Sequence, residues 1–342
     1  MVYKYGTVKM TMLDYNTYYK KTMNYFYFIF VFVCKNIIAQ QTMPYSLMQE
    51  ADTLQMFGAG IISTPVDEFG GCFSNDGKIF YYSKSVPGSY LYTICYSEFK
   101  NGEWTKPGIM PFSGSYRDFD PVISPDGKKM LFSSDRPIGN EIKNDYDIWM
   151  AEKTSAGWGE PVRLDTVVNS SSDEHFASMA ANGNVYFSST RPGTKGNSDI
   201  FVSRLVNGRY QKAEILPDSV TTNSFELETV IAPDESYLLI GAVGRPEGLG
   251  HFDIYISFNK NGVWSKAKNL GEPINSSARD YSPRITPDGR YMMFTSERDF
   301  TLDNPPYKKY STEELMNYFQ SIKNGLGNIY QINIKYVLEG NN

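Results

Sequence analysis

Five acidic residues recur along the chain at a nearly constant interval. They are Glu68, Asp118, Glu174, Glu226 and Asp280, spaced 50, 56, 52 and 54 residues apart. In four repeats an arginine ends the second apolar run: Arg136, Arg191, Arg245 and Arg298. In three an aspartate opens the next run: Asp147, Asp199 and Asp253. Such a set permits two chemistries. The carboxylates form a ring that binds a cation or cationic group, or each guanidinium forks to acids of its own or the next repeat and pins the loops. The repeat favours pinning, because where Ser85 replaces the arginine, Thr93 also replaces the aspartate. Glu68 thereby loses its usual partner, and Asn328 stands opposite Arg298. Unpaired polar groups at the first and fifth repeats are the places to look for binding. His175 follows Glu174 and His251 precedes Phe252-Asp253, so both join the five acids as candidate binding residues. They sit in different repeats, and no metal site is expected. The chain has no GxSxG elbow, no HExxH and no phosphate loop, so no catalytic residue and no cofactor is assigned.

The elements that carry these residues are strands. The repeat cores read EFGGCFSNDGKIFYYS from Glu68, DFDPVISPDGKKMLFSS from Asp118, EHFASMAANGNVYFSS from Glu174, ELETVIAPDESYLLIGA from Glu226 and DYSPRITPDGRYMMFTS from Asp280. Each is a short strand, a turn suited to positive φ, and a strongly apolar strand. Glu235 breaks the turn rule in the fourth repeat. A third strand follows (TICYS, DIWMA, DIFVS, DIYIS, NIYQI), and in four repeats a fourth opens at Trp104, Trp158, Tyr210 or Trp264. Four antiparallel strands per unit of ~50 residues make the blade of a β-propeller. The fifth repeat lacks its fourth strand, while Phe57–Thr64 matches Leu270–Ser277. Residues near Leu54 to Ile62 are therefore expected to complete the last blade and leave no free sheet edge. The expected fold is all-β, with five four-stranded blades. A sixth, the alternative, would need about 50 further residues.

The segments SPDGKKMLFSSDRP, FSSTRPG with SDIFVS, and FDIYIS with WSKAKNLGEPINSS resemble the TolB-type, WD40-like propeller repeat. The resemblance runs over residues 54 to 336. It implies the fold strongly and function weakly, since such repeats occur in periplasmic scaffolds and beside enzymes alike.

Tyr25–Cys34, YFYFIFVFVC, is about half the length that spans a bilayer, and Lys20-Lys21 precede it. A signal peptide over residues 1–39 is expected, with Gln40 as the first mature residue. Residues 40–53 form a short segment, and 54–338 the propeller, with a helical insertion at about 300–326. There Ser311 and Glu314 form a capping box, and Leu315, Phe319 and Ile322 share one face. The insertion is expected to be either a lid over a ligand or a plug over blade edges. Net charge is −5, which argues against nucleic acid or an anionic membrane surface. Three cysteines exclude a disulfide scaffold, and Cys72 and Cys95 are expected as free buried thiols. The reading is an exported, monomeric, non-catalytic envelope protein that binds a protein or glycan on its loop-rich mouth face. It has no membrane-spanning segment after cleavage. The alternative is a carbohydrate-active hydrolase or lyase that uses mouth carboxylates.

Overall fold

Tight turns fold each repeat into antiparallel strands, and each blade is a four-stranded antiparallel sheet. The computed structural model describes residues 53–89, 91–139, 145–298 and 309–339. The expected signal peptide lies outside these residues. In the first blade Asp67–Phe73 pairs with Ile79–Ser85, which pairs with Tyr92–Lys100, which pairs in turn with Gly108–Ile109. The innermost strands of the following blades are Asp118–Ile123, Glu174–Met179, Phe225–Ile231 and Asp280–Ile285. The fold is the expected five-bladed β-propeller.

The turns hold by one local device. Ser74 donates to the Asp76 carboxylate, which accepts the Lys78 N–H, while Gly77 takes a φ of 68°. Ser124 with Asp126 and Thr286 with Asp288 repeat it. Glu235 holds the fourth turn at a φ of 59°, and its carboxylate is tied down by Asn182, Asn184 and Tyr186 of the neighbouring blade.

Closure is made by the N-terminal strand. Gln55–Met56 pairs with Gln331 and Tyr330, outermost in the sheet that ends in Asp280–Ile285. Phe57 N–H then donates to the Ile329 carbonyl. The buried Phe57 ring packs against Phe73, Phe80 and Trp104 of the first blade. The closing segment thus fills the seam between the last blade and the first. Second strands are apolar on both faces because neighbouring blades cover them. Met130, Leu131, Leu238, Leu239 and Met292 are fully buried. Cys72 and Cys95 are free and buried.

Every innermost strand carries a β-bulge just after its leading acid, at Phe69/Cys72, Phe119/Val122, His175/Ser178, Glu226/Glu228 and Tyr281/Arg284. Bulges re-aim side chains, and these five decide what faces the channel.

The helix Thr312–Phe319 starts on the reciprocal Ser311–Glu314 cap. Its expected apolar face is not buried. Phe319 is 58% exposed and no residue of the helix is fully buried, with Leu315 and Tyr318 half-buried. Asn324 behind it donates to the Pro65 carbonyl and anchors the insertion to the first blade. Among the described residues no helix is long and apolar enough to cross a membrane.

Candidate active site

The five leading acids do not form the mouth. Glu68, Asp118, Glu174, Glu226 and Asp280 are fully buried, and each is held by a cation. Arg136 pairs with Asp118 at 2.7 Å, Arg191 with Glu174 at 3.0 Å, Arg245 with Glu226 at 2.9 Å and Arg298 with Asp280 at 2.7 Å. Glu68 is not left alone: Lys84, on the adjacent strand, reaches it at 2.9 Å. Four of the acids also accept the N–H of the residue four positions earlier: Thr64, Ser170, Thr222 and Ser276. They latch the loop that leads into their own blade. Burial pushes Glu68 up to about 7 against the pull of Thr64 and Lys84.

The third-strand aspartates have other work. Asp147 takes a bidentate fork from Arg163 at 2.7 Å on each arm. Asp253 accepts the Leu249 and Gly250 N–H groups, and Asp199 that of Lys195. Asp147, Asp199 and Asp253 thus have partners beyond the second-strand arginines. His251 is exposed and does not line the mouth cavity, so of the two histidines only His175 is at the site.

Alternation explains the displacement. A leading acid that points into the blade sends the next side chain toward the channel. Those next residues are Phe69, Phe119, His175, Leu227 and Tyr281, and all five line one cavity of about 740 Å³ at the mouth. Phe252 from the fourth blade and Phe176 complete an aromatic wall. Phe119 meets Phe176 at 5.6 Å, and Tyr281 meets Phe252 at 5.6 Å.

Three carboxylates share that cavity: Asp67, Glu228 and Glu297. Asp67 stands on the other side of Glu68 from Phe69. It accepts Ser85 Oγ at 2.6 Å and the Gly327 N–H at 3.0 Å, one donor on each oxygen. Gly327 has to be glycine here, because a Cβ would come within 2.6 Å of Asp67 Oδ1 and 2.9 Å of the Tyr281 hydroxyl. Glu297 opens the insertion and pairs with Arg279 at 3.0 Å. Burial raises its pKa above the usual carboxylate range, Arg279 opposes the rise, and Asp67 reinforces it. Glu228 is buried and accepts from Ser282 Oγ at 2.8 Å and from the Ser282 N–H. Burial, reinforced by Asp120, pushes it up to about 7. Beneath it Arg284 pairs with Asp120 at 2.6 Å. Gly325 and Leu326 of the insertion wall the cavity beside Asp67, so this segment borders the site as well as the blade edge.

Asp67, Glu228 and Glu297 escaped the sequence reading because none sits at the repeated position. One signal marked the place: Ser85, standing where the other repeats carry arginine, is the residue that binds Asp67.

No protein-family model matches the chain, and no curated protein matches it in sequence. Solved structures do. An α-L-arabinofuranosidase from Lactobacillus brevis is 13% identical with a TM-score of 0.45, covering 81% of this chain and 93% of that one. A thermostable family-43 glycoside hydrolase is 10% identical with a TM-score of 0.46, covering 70% and 86%. An endo-arabinase from Bacteroides thetaiotaomicron is 13% identical with a TM-score of 0.44, covering 69% and 90%. At these levels the likeness is one of fold. The expectation of a non-catalytic binding protein is corrected here. It rested on the absence of catalytic motifs and on mouth acids tied to arginines in four of the five repeats, whereas Asp67 and Glu228 lie outside the repeated positions and line the cavity with no salt bridge to a described residue. The similar structures include glycoside hydrolases, peptidases and a hydrazine synthase, and at this likeness they share a fold with the chain and pass no activity to it.

Proposed function

We propose that the chain is a glycoside hydrolase whose reaction centre is the mouth cavity. The observation that carries the reading is a pair of carboxylates with unlike surroundings in one aromatic-walled cavity. Glu297, with its pKa raised by burial and by Asp67, is the proton donor to the departing glycosidic oxygen. Asp67, with a donor on each oxygen, is the partner that attacks the anomeric carbon or activates water. Paired carboxylates with unlike surroundings divide acid and base roles in this way. The aromatic wall suits the C–H faces of a sugar ring, and about 740 Å³ lies within the range of small-ligand sites.

The purified full-length protein should release reducing sugar from at least one of arabinan, xylan, galactan or β-glucan. Asp67→Asn and Glu297→Gln should each lower kcat about 10²–10⁴-fold with melting unchanged. Absence of hydrolysis across the panel contradicts the reading.

Kinship with TolB-type propellers belongs with this proposal, as does export with Gln40 as the first mature residue. N-terminal sequencing of secreted material tests the latter. A monomer in sedimentation is expected.

A further inference from the structure

Among the described residues His175 is the one nitrogen base in the cavity wall, and its two contacts with Ser188 bear on which nitrogen carries the proton. Ser188 Oγ lies 2.8 Å from Nδ1. The same hydroxyl donates its single hydrogen to the His175 carbonyl at 3.1 Å. Both contacts form hydrogen bonds at once when Nδ1 donates to Ser188 Oγ, and this is the tautomer taken for the site. Nε2 is left as the acceptor of a side chain that lines the cavity. The ring is clamped against Phe176 at 4.7 Å and stacks near Tyr146 at 6.4 Å. Burial lowers its pKa to about 4, with Asp173 and Ser188 opposing, so the neutral tautomer persists at neutral pH.

The rest of the polar lining is mixed: Asp67 accepts from Ser85 and Gly327, while Tyr92, Tyr146 and Tyr281 carry hydroxyls. Arg279 is the one cation among the described lining residues, and Glu297 already holds it. A bound group facing His175 must bring its own hydrogen. We propose that His175 is a specificity-determining residue: its Nε2 accepts a hydrogen bond from one free hydroxyl of the bound glycosyl unit. The site thereby selects an unsubstituted sugar over one that is O-acetylated, O-methylated or oxidised to a carboxylate at that position. An ester or ether leaves Nε2 facing an acceptor, and a carboxylate adds repulsion from the acidic lining. This inference rests on the glycoside-hydrolase reading.

The test is calorimetric titration of the full-length Glu297→Gln protein, in which turnover is slowed about 10²–10⁴-fold. The probes are arabinotriose, xylotriose, galactotriose and trigalacturonic acid, followed by mono-O-methyl derivatives of the tightest binder. One neutral trimer should bind, and methylation at one position should weaken it about 10-fold. Adding His175→Phe should weaken the parent trimer by the same factor and abolish discrimination against that derivative. In parallel, the ¹⁵N resonance of His175 Nε2 should shift with the parent trimer and not with the derivative, in the protein that keeps its histidine. Preferential binding of trigalacturonic acid, unchanged affinity in His175→Phe, or an unmoved Nε2 resonance overturns the role of His175 while leaving the hydrolase reading intact. Failure of every trimer to bind removes both.

Discussion

Two rings of side chains, one residue apart in sequence, occupy opposite sides of the same strands. The ring of leading acids is regular: an acid in every blade, each buried, each closed by a cation on or just past its own second strand. The ring that faces the channel is irregular: Phe69, Phe119, His175, Leu227 and Tyr281, with Asp67, Glu228 and Glu297 placed asymmetrically among them. A feature that every blade needs is repeated in every blade. A feature that one ligand needs has no reason to obey the repeat. Repetition here marks structure, and departure from it marks the site.

The sharpest attack on this contrast is to open a latch. Arg245 is nearly inaccessible and holds Glu226 together with the Val220 carbonyl. Arg245→Ala should cost about 3–5 kcal/mol in denaturant unfolding, because it strands a buried carboxylate. Phe57→Ala should cost a similar or slightly smaller amount, about 3–4 kcal/mol, by emptying the aromatic seam at the closure. If either protein melts like the wild type, the corresponding part of the fold account is wrong.

Glu68→Gln sets a finer comparison. A latch without a partner would tolerate the change. With Lys84 at 2.9 Å and Thr64 also bound, the change should lower stability by about 1 kcal/mol, since Lys84 keeps partial access to water.

The comparison also shows in pH dependence. Glu228 holds its proton to about 7 in the folded protein, above its unfolded value of about 4.5, so the native state binds the extra proton. Its contribution is fully present below about pH 4.5 and is lost as pH rises through 7. His175 acts oppositely: with a folded value near 4 against 6.5, its contribution is present above pH 6.5 and lost on acidification. Glu228→Gln should therefore flatten the decline of stability between pH 4.5 and 7, and His175→Phe should flatten the loss between pH 6.5 and 4. Unchanged profiles would mean that neither group is buried as described.

Much of the architecture was legible because a propeller repeats its own instructions. The Ser74–Asp76 turn recurs at Ser124–Asp126, and the likeness of Phe57–Thr64 to Leu270–Ser277 located the closing strand. The site was harder to read. Position in a repeat identifies a level along the strand, but the direction of a side chain there depends on pleat and bulge. Glu68 and Asp67 differ by one residue and face opposite ways. Glu228 is turned into the channel by a bulge that nothing in its own composition announces. Lys84 replaced the missing arginine from a neighbouring register, a substitution visible only once strands are paired.

The most direct test of the central claim compares one acid from each ring in the same assay. Glu297→Gln and Asp280→Asn are followed by thermal melting and by reducing-sugar release on the polysaccharide panel. Glu297→Gln should keep its melting temperature and lose about 10²–10⁴-fold in kcat. Asp280→Asn, which releases Arg298 and the Ser276 loop, should melt lower while its folded fraction retains kcat within a few-fold. Full activity in Glu297→Gln, or loss of kcat in folded Asp280→Asn with melting unchanged, would contradict the division between a structural ring and a reactive mouth.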